Sequence, residues 1–456
     1  MSAPFWMGVM SVIELTSLPQ TSGAALQRAA RALLLAMLGV IYSGLFLFLV
    51  TLSPYLLYGF YVLLLILIGL GAYAGRPTSQ SLHPLLPYLC FLLIYSSWGL
   101  LISPEAGDLI PEVMRMIIRN LLIFGAFVVA VPDRASFKTF VRWVQVAALL
   151  NFAIAIAEST NPVLITDITF TRNVATTAFD VLRPAGLWIN PDEAAFAFLF
   201  ALLLSSGDRG LLIWLGRAAS IGGIYLSASR TGAYILAGYL LALLIFKLRS
   251  ARLNHLQLLA FFWGAALALT LFVAYYNYYG NLTINTSDSF QISRFLDFHE
   301  ESAHDGYTRR YVTSMVFDKV MEAPIQGYGI FSLQTSGITS SMSSYASLQQ
   351  LGIGAHNIYL VVWGEMGIFG LLCYLSVLLT GIVAVLRARI SAQARCIGLL
   401  IWATYLLMGL VWHNQFTDVL GAIYVGLIFY FPKIVASHDH SGTAPSIVAL
   451  RAHEVV

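Results

Sequence analysis

Four residues far apart in this 456-residue chain, Arg183, Arg230, Arg309 and His356, have the side chains to hold a phosphate and move a proton. A guanidinium keeps its charge and grips a phosphate with two parallel N–H groups. An imidazole, with an ordinary pKa of about 6.5, exchanges protons near neutrality. Threading the chain through a bilayer by its charges puts all four on one side. Arginines gathered beside one histidine at a membrane surface suit chemistry on a lipid-linked diphosphate.

The setting of each residue sharpens that reading. His356 opens His356-Asn357-Ile358-Tyr359-Leu360, after Gly352-Ile353-Gly354, at the outer end of a predicted span. Taken alone, a histidine reads first as a structural hydrogen bonder; its accessible place at a helix start brings in the role of base. Asn357 flanks it. Glu365 lies about two and a half turns on, inside the membrane zone. A carboxylate there is costly unless paired or protonated, and a structural anchor is the preferred reading. Arg230 sits in Ser227-Ala228-Ser229-Arg230-Thr231-Gly232, a tight outer connection. It is the sole Lys or Arg of the short outer loops, against the usual charge bias, so function is favoured.

Arg183 sits in Arg183-Pro184-Ala185-Gly186-Leu187, ahead of Asn190-Pro191. Gly and Pro imply a shaped loop; a solvated loop arginine is the alternative. Arg309 and Arg310 fall in the first turn of a predicted helix, where cations oppose the helix dipole. A bound anion resolves the conflict, with N–H and guanidinium groups converging on it. Contact with lipid head groups is the alternative. Arg115 and Arg119, four apart on one face of a span, form a second tier with Asn357 and Glu365; pairing with Glu112 or Asp108 explains the two arginines equally well.

The elements that must position these groups are membrane helices. The chain is 59% hydrophobic and 10% charged, where a soluble domain carries about 25% charged residues. Runs of roughly 18–22 apolar residues recur, each enough for a hydrocarbon core of about 30 Å. Backbone groups in lipid must be satisfied internally, so the spans are helices and the fold class is all-α, polytopic. We read spans at roughly 32–51, 55–74, 85–102, 113–131, 138–158, 193–206, 211–227, 232–248, 256–276, 357–386, 396–412 and 416–432. The sixth is short and the tenth long.

These spans divide the chain into a cytoplasmic segment 1–31, nine helices over 32–276 with an outer loop at 159–192, a large outer loop at 277–356, three helices over 357–435, and a cytoplasmic tail 436–456. The orientation follows from Arg and Lys in alternate loops. Within the large loop, a helix is predicted over about 307–322, stopped before Pro324. Its apolar face comprises Tyr311, Met315, Val316 and Val320. The net charge of +3 reflects loop arginines and does not imply nucleic acid. Cys90, Cys373 and Cys396 sit in apolar runs with no metal or disulfide spacing. No removable signal peptide is expected at the N-terminus. HExxH, CxxC, P-loop, GxGxxG and Asp-Xaa-Asp patterns are missing, which disfavours a metal- and sugar-nucleotide-dependent transferase.

At this point the chain resembles the O-antigen ligase and O-antigen polymerase (Wzy/WaaL) superfamily over its central and C-terminal two thirds. The resemblance rests on Arg183-Pro-Ala-Gly with Asn190-Pro191, on Ser229-Arg230-Thr231-Gly232, on Tyr307-Thr-Arg-Arg310 leading to Pro324 and Gly327-Tyr328-Gly329, and on His356-Asn357 with Leu360, Glu365, Gly367 and Gly370. It implies about twelve helices and a large periplasmic loop carrying short helices, in a multi-pass protein of the bacterial inner membrane with its active site facing the periplasm. It implies transfer of a glycan from undecaprenyl diphosphate to an acceptor hydroxyl, without metal or other cofactor. His356 becomes the base, and Arg183, Arg230 and Arg309 or Arg310 the diphosphate ligands. The acceptor is a second lipid-linked repeat unit in a polymerase, slightly favoured here, or lipid A core in a ligase. Besides the lipid bilayer, a chain-length co-polymerase is a candidate partner. A secondary transporter is the alternative of another class. It is disfavoured because the polar clusters sit at helix ends and the chain shows no related halves.

Overall fold

In the structure, a computed structural model, residues 20–46, 49, 55–75, 83–103, 106–160, 184–188, 191–227, 229–250, 309–333, 357–410, 412, 415 and 418–436 are described. For Arg230, Arg309 and Arg310 the description covers the backbone. Arg183, His356 and the predicted span at 256–276 lie outside the described residues.

The described chain is helical, with no strand. In order come α1 (Gln20–Tyr42), α2 (Tyr55–Gly75), a 3-10 turn (His83–Leu85), α3 (Leu86–Ile102), α4 (Ala106–Ala130), α5 (Arg134–Thr160), α6 (Pro191–Leu204), α7 (Leu211–Leu226), α8 (Arg230–Ser250), α9 (Arg309–Glu322), α10 (Ile358–Arg387), α11 (Ala392–Gly409) and α12 (Val419–Ala436). Seven are long and apolar enough to cross a membrane, and stretches within α7, α8 and α12 are shorter apolar helices. The protein is an all-α polytopic membrane protein.

Several boundaries differ from the hydropathy reading for identifiable reasons. Helix α1 begins at Gln20, ahead of the apolar run near residue 32, because Ala24, Ala25, Ala29 and Ala30 are strong helix formers. It ends at a Ser43-Gly44 turn in which Gly44 has φ 76°, a region open to glycine. A side chain there would come within 2.8 Å of the Leu187 carbonyl oxygen. Helix α4 reaches back to Ala106 and runs through Pro111, whose missing N–H leaves the Gly107 carbonyl without its intrahelical donor.

Helix α6 is the axis of the bundle. Every residue from Pro191 to Leu204 is buried, among α5, α7, α8 and α11. Pro191 stands at the first helical position, where its lack of an N–H is harmless. At about 1.5 Å per residue, the helix falls short of the roughly 30 Å hydrocarbon core. Its aromatic contacts run to both sides: Phe200 stacks on Tyr424 with centroids 4.0 Å apart, and Phe198 meets Trp188 edge-on at 5.1 Å.

Candidate functional site

The described residues around the sequence-predicted site are a set of mounts, each a short, tightly bonded segment next to one of the candidate groups. The first follows Arg183. Pro184, Ala185, Gly186 and Trp188 are buried. Glu158 Oε2, at the end of α5, accepts hydrogen bonds from Ala185 N at 3.0 Å and Gly186 N at 2.8 Å. Asn151 Oδ1 accepts from Leu187 N at 2.7 Å, while its Nδ2 donates to Ser43 O at 2.8 Å and Ala147 O at 2.9 Å. Trp188 Nε1 donates to Tyr42 O at 3.1 Å. Gly186 has φ 63°, and an added Cβ would lie 2.5 Å from Asn151 Oδ1, so only glycine fits.

The second mount holds Arg230. Ser229 caps α8: its Oγ accepts from Gly232 N at 3.2 Å, and its carbonyl accepts from Ala233 N at 2.9 Å. Arg230 is therefore the first helical residue, beside backbone N–H groups that the helix itself leaves unused. Gly232 is small because α8 presses on α6 there; a Cβ would sit 2.7 Å from that of Ala195. The first two mounts thus meet on the opening turns of the same helix, at Ala195 and Phe198. That first turn of α6 also carries Asp192 and Glu193, both buried.

The third mount follows His356. Asn357, in extended backbone, caps α10 by accepting from Tyr359 N at 3.0 Å and Leu360 N at 3.1 Å. Its side-chain oxygen serves the helix. The residue just before this cap is His356. Tyr359 anchors the turn by donating to Leu406 O of α11 at 2.8 Å.

The fourth mount joins α9, which opens with Arg309 and Arg310, to α10. Helix α10 is broken at Gly367, with φ 71° and ψ −175°. The segment 324–330 enters the break. Tyr328 N donates to Gly364 O at 2.8 Å, Gly329 N to Glu365 O at 3.0 Å, and Ile368 N to Pro324 O at 2.9 Å. Trp363 Nε1 also reaches Pro324 O at 2.9 Å, and Ile330 N reaches Gly99 O of α3 at 3.1 Å. Glu365 is fully buried. It accepts from Tyr95 of α3 and from Leu333 N at 3.3 Å. The structure thus gives Glu365 anchoring partners. Outside the spans, Tyr328 packs under the Lys319 ammonium at 4.8 Å. It donates to Lys319 O and lies 3.1 Å from Glu322 Oε2. The neighbouring Lys319 and Tyr328 hold the Glu322 carboxyl below its ordinary value.

The second-tier arginines separate. Arg115 points outward and pairs with Glu112 at 2.7 Å, the alternative that the sequence left open. Arg119 is turned toward Tyr61 and Asp418. Asp418 accepts from Leu420 N at 3.0 Å at the start of α12. Sequence reasoning missed Glu158, Asn151, Asp418 and the buried Gln415, which accepts from Tyr374 Oη at 3.1 Å. The signal available for the two carboxylates was a charge at the edge of an apolar run.

Fold and mounts together define a class: a helical membrane protein in which Arg230, Arg309 and the Asn357 cap stand at helix starts. Comparison with protein families adds one match. Residues 215–375 match the family described as O-antigen ligase, which supports the resemblance to the O-antigen ligase and polymerase superfamily. The matched stretch contains Arg230, Arg309, Arg310, His356 and the 324–330 and 363–368 segments of the fourth mount; Arg183 lies before it. Comparison with curated proteins gave no match. The family supports membrane glycosyltransferase activity of the ligase or polymerase type, on glycan substrates in a lipid bilayer.

Proposed function

We propose that the protein moves an oligosaccharide from undecaprenyl diphosphate to an acceptor hydroxyl at the periplasmic face of the bacterial inner membrane, as a repeat-unit polymerase. The observation that carries this reading is the family match over 215–375, which contains the histidine and three of the four candidate arginines. The donor's anomeric carbon bears a diphosphate, already a good leaving group. His356 takes the acceptor proton as the hydroxyl oxygen attacks that carbon. The bond from carbon to the diphosphate oxygen breaks, and the electron pair leaves with the diphosphate. Arg183, Arg230 and Arg309 or Arg310 hold the departing charge, as fixed cations stabilise what develops in a transition state. Nearby guanidinium groups keep the imidazole neutral and ready to accept. In-line attack inverts the anomeric configuration. No metal is required in this scheme, since the arginines supply the positive charge.

The polymerase assignment rests on the look of the His356 and Arg230 segments. The family's description as a ligase favours the second reading, transfer to lipid A core. Deleting the gene and profiling the surface glycan separates them. Single repeats on lipid A core identify a polymerase, whereas bare core with accumulated lipid-linked polymer identifies a ligase. His356→Ala is expected to abolish transfer in a folded, inserted protein, and near-normal product would remove His356 from the base role.

A further inference from the structure

We infer that α9 is seated in the lipid surface, with Phe317, Met321 and Ile325 set into the leaflet beside it. The helix is not among those long and apolar enough to cross a membrane, and Asp318 and Lys319 lie within it. It nonetheless carries two apolar stripes. Val316 and Val320 are buried, with Val320 against Gly364 of α10. One position on, about 100° around the helix, Phe317 and Met321 are 43% and 49% exposed, and Ile325 just past the helix end is 66% exposed. A further position on, Asp318 and Glu322 are exposed and charged. Neighbouring stripes thus suit protein, an apolar phase and water in turn. A single exposed apolar residue is ordinary on any surface. A stripe of them that joins other exposed apolar faces marks a contact.

The depth of the stripe identifies its occupant. The segment that follows α9 is bonded to two membrane helices at one level. Trp98 Nε1 of α3 reaches Gln326 O at 3.4 Å, and Ile330 N donates to Gly99 O at 3.1 Å. Gly99 lies in the last turn of α3. The apolar stretch that ends there, His83–Ile102, has 20 residues, about 30 Å of helix and so one hydrocarbon thickness. Its end therefore marks the edge of the lipid, where a tryptophan ring is favoured. Helix α10 has 30 residues, about 45 Å, which exceeds the core by about ten residues. The same segment meets it at the Gly367 break, that far from its start. Both helices thus put 324–330 at the interface. Close by, Leu101 of α3 and Phe369 of α10 are 76% and 69% exposed. Phe317 meets Trp363 of α10 edge-on at 6.1 Å. The stripe on α9 continues the lipid-facing sides of α3 and α10, and this continuity selects acyl chains as what it touches.

The test uses the full-length protein, with Cys90, Cys373 and Cys396 replaced by serine, in nanodiscs of phosphatidylethanolamine and phosphatidylglycerol. Nitroxide labels are attached to Phe317→Cys, Met321→Cys and Ile325→Cys, one at a time. Leu372→Cys, on the exposed side of α10, is the lipid reference, and Asp318→Cys the water reference. Collisions are measured with oxygen, which concentrates in lipid, and with a nickel chelate, which stays in water. The three labels are expected to show the oxygen-to-nickel ratio of Leu372→Cys. Ratios matching Asp318→Cys overturn the inference. Shielding from both reagents overturns it too: spin–spin broadening between copies would then identify a second chain, and its absence another segment of this one. A second measurement needs no substitution. Hydroxyl radicals generated in water should oxidise Met321 in nanodiscs far more slowly than in an isolated 309–322 peptide, and equal rates overturn the inference. Neither readout involves a substrate, so both stand apart from the proposed transfer.

Discussion

Replacing Gly367 by alanine should release α9 from α10. The backbone at Gly367, with φ 71° and ψ −175°, lies where residues other than glycine are strained by about 1–3 kcal/mol. A Cβ there would come within 1.8 Å of the Ile325 carbonyl oxygen and 2.3 Å of its carbon. Both are backbone atoms, so rotating a side chain cannot relieve the clash, and segment 324–330 must move. Movement puts at risk the bonds from Tyr328 N, Gly329 N and Ile368 N, of 2.8, 3.0 and 2.9 Å. Each is worth about 0.5–1.5 kcal/mol net. Strain and lost bonds together come to about 2.5–7.5 kcal/mol. The assay is an unfolding titration of purified protein in mixed micelles, run beside Gly59→Ala. Gly59 lies in α2 with open space around it, so that variant should sit within about 1 kcal/mol of the parent. Transfer activity should fall with Gly367→Ala, because α9 carries Arg309 and Arg310. Equal stability of the two variants would refute the reasoning that the break in α10 is held open by the incoming segment.

Other substitutions address the remaining mounts. Ser229→Ala should cost about 1 kcal/mol through loss of the α8 cap, and Ser229→Asp should restore it, both read by unfolding midpoints. Asn357→Ala should cost about 0.5–2 kcal/mol for the same reason, with Asn357→Asp retaining the cap and the stability. Arg230→Lys should depress turnover severely while leaving the midpoint unchanged, since a point charge cannot reproduce a fork; full turnover would reduce Arg230 to a general electrostatic role. The Glu322 carboxyl sits lower in the folded protein than its ordinary 4.5, so its contribution to holding Tyr328 is present above that value. It is lost as pH falls through the depressed folded value, which amide exchange at 328–330 should reveal as a loosening that Glu322→Gln shows at neutral pH.

Much of the architecture was legible because hydrocarbon imposes one rule, that apolar runs of sufficient length become helices. The loop helix before Pro324 was equally legible, its stop being local chemistry. The start of α1 was not, since hydropathy marks where lipid begins and alanine-rich helix propensity extends beyond it. Of the site, the motif residues could be read, but their roles divide in a way no spacing reveals. Asn357 and Ser229 turn out to cap helices. Gly327, Gly329, Glu365 and Gly367 build one junction from two segments that lie 35 or more positions apart. Glu158 escaped notice because it accepts from backbone amides of a later loop, and a bond to backbone leaves no trace in the partner's identity.

The wholly enclosed α6 has a consequence for how the protein is made. A helix with no lipid-facing side, too short to cross the bilayer and bearing two carboxylates in its first turn, gains little from partitioning into lipid on its own. During synthesis it must wait, in the insertion machinery or against α5, until α7 and α8 emerge to enclose it. Assembly of this bundle is therefore cooperative around its latest-satisfied member, and variants that weaken the walls of α6 should surface as failed insertion before they surface as lost activity.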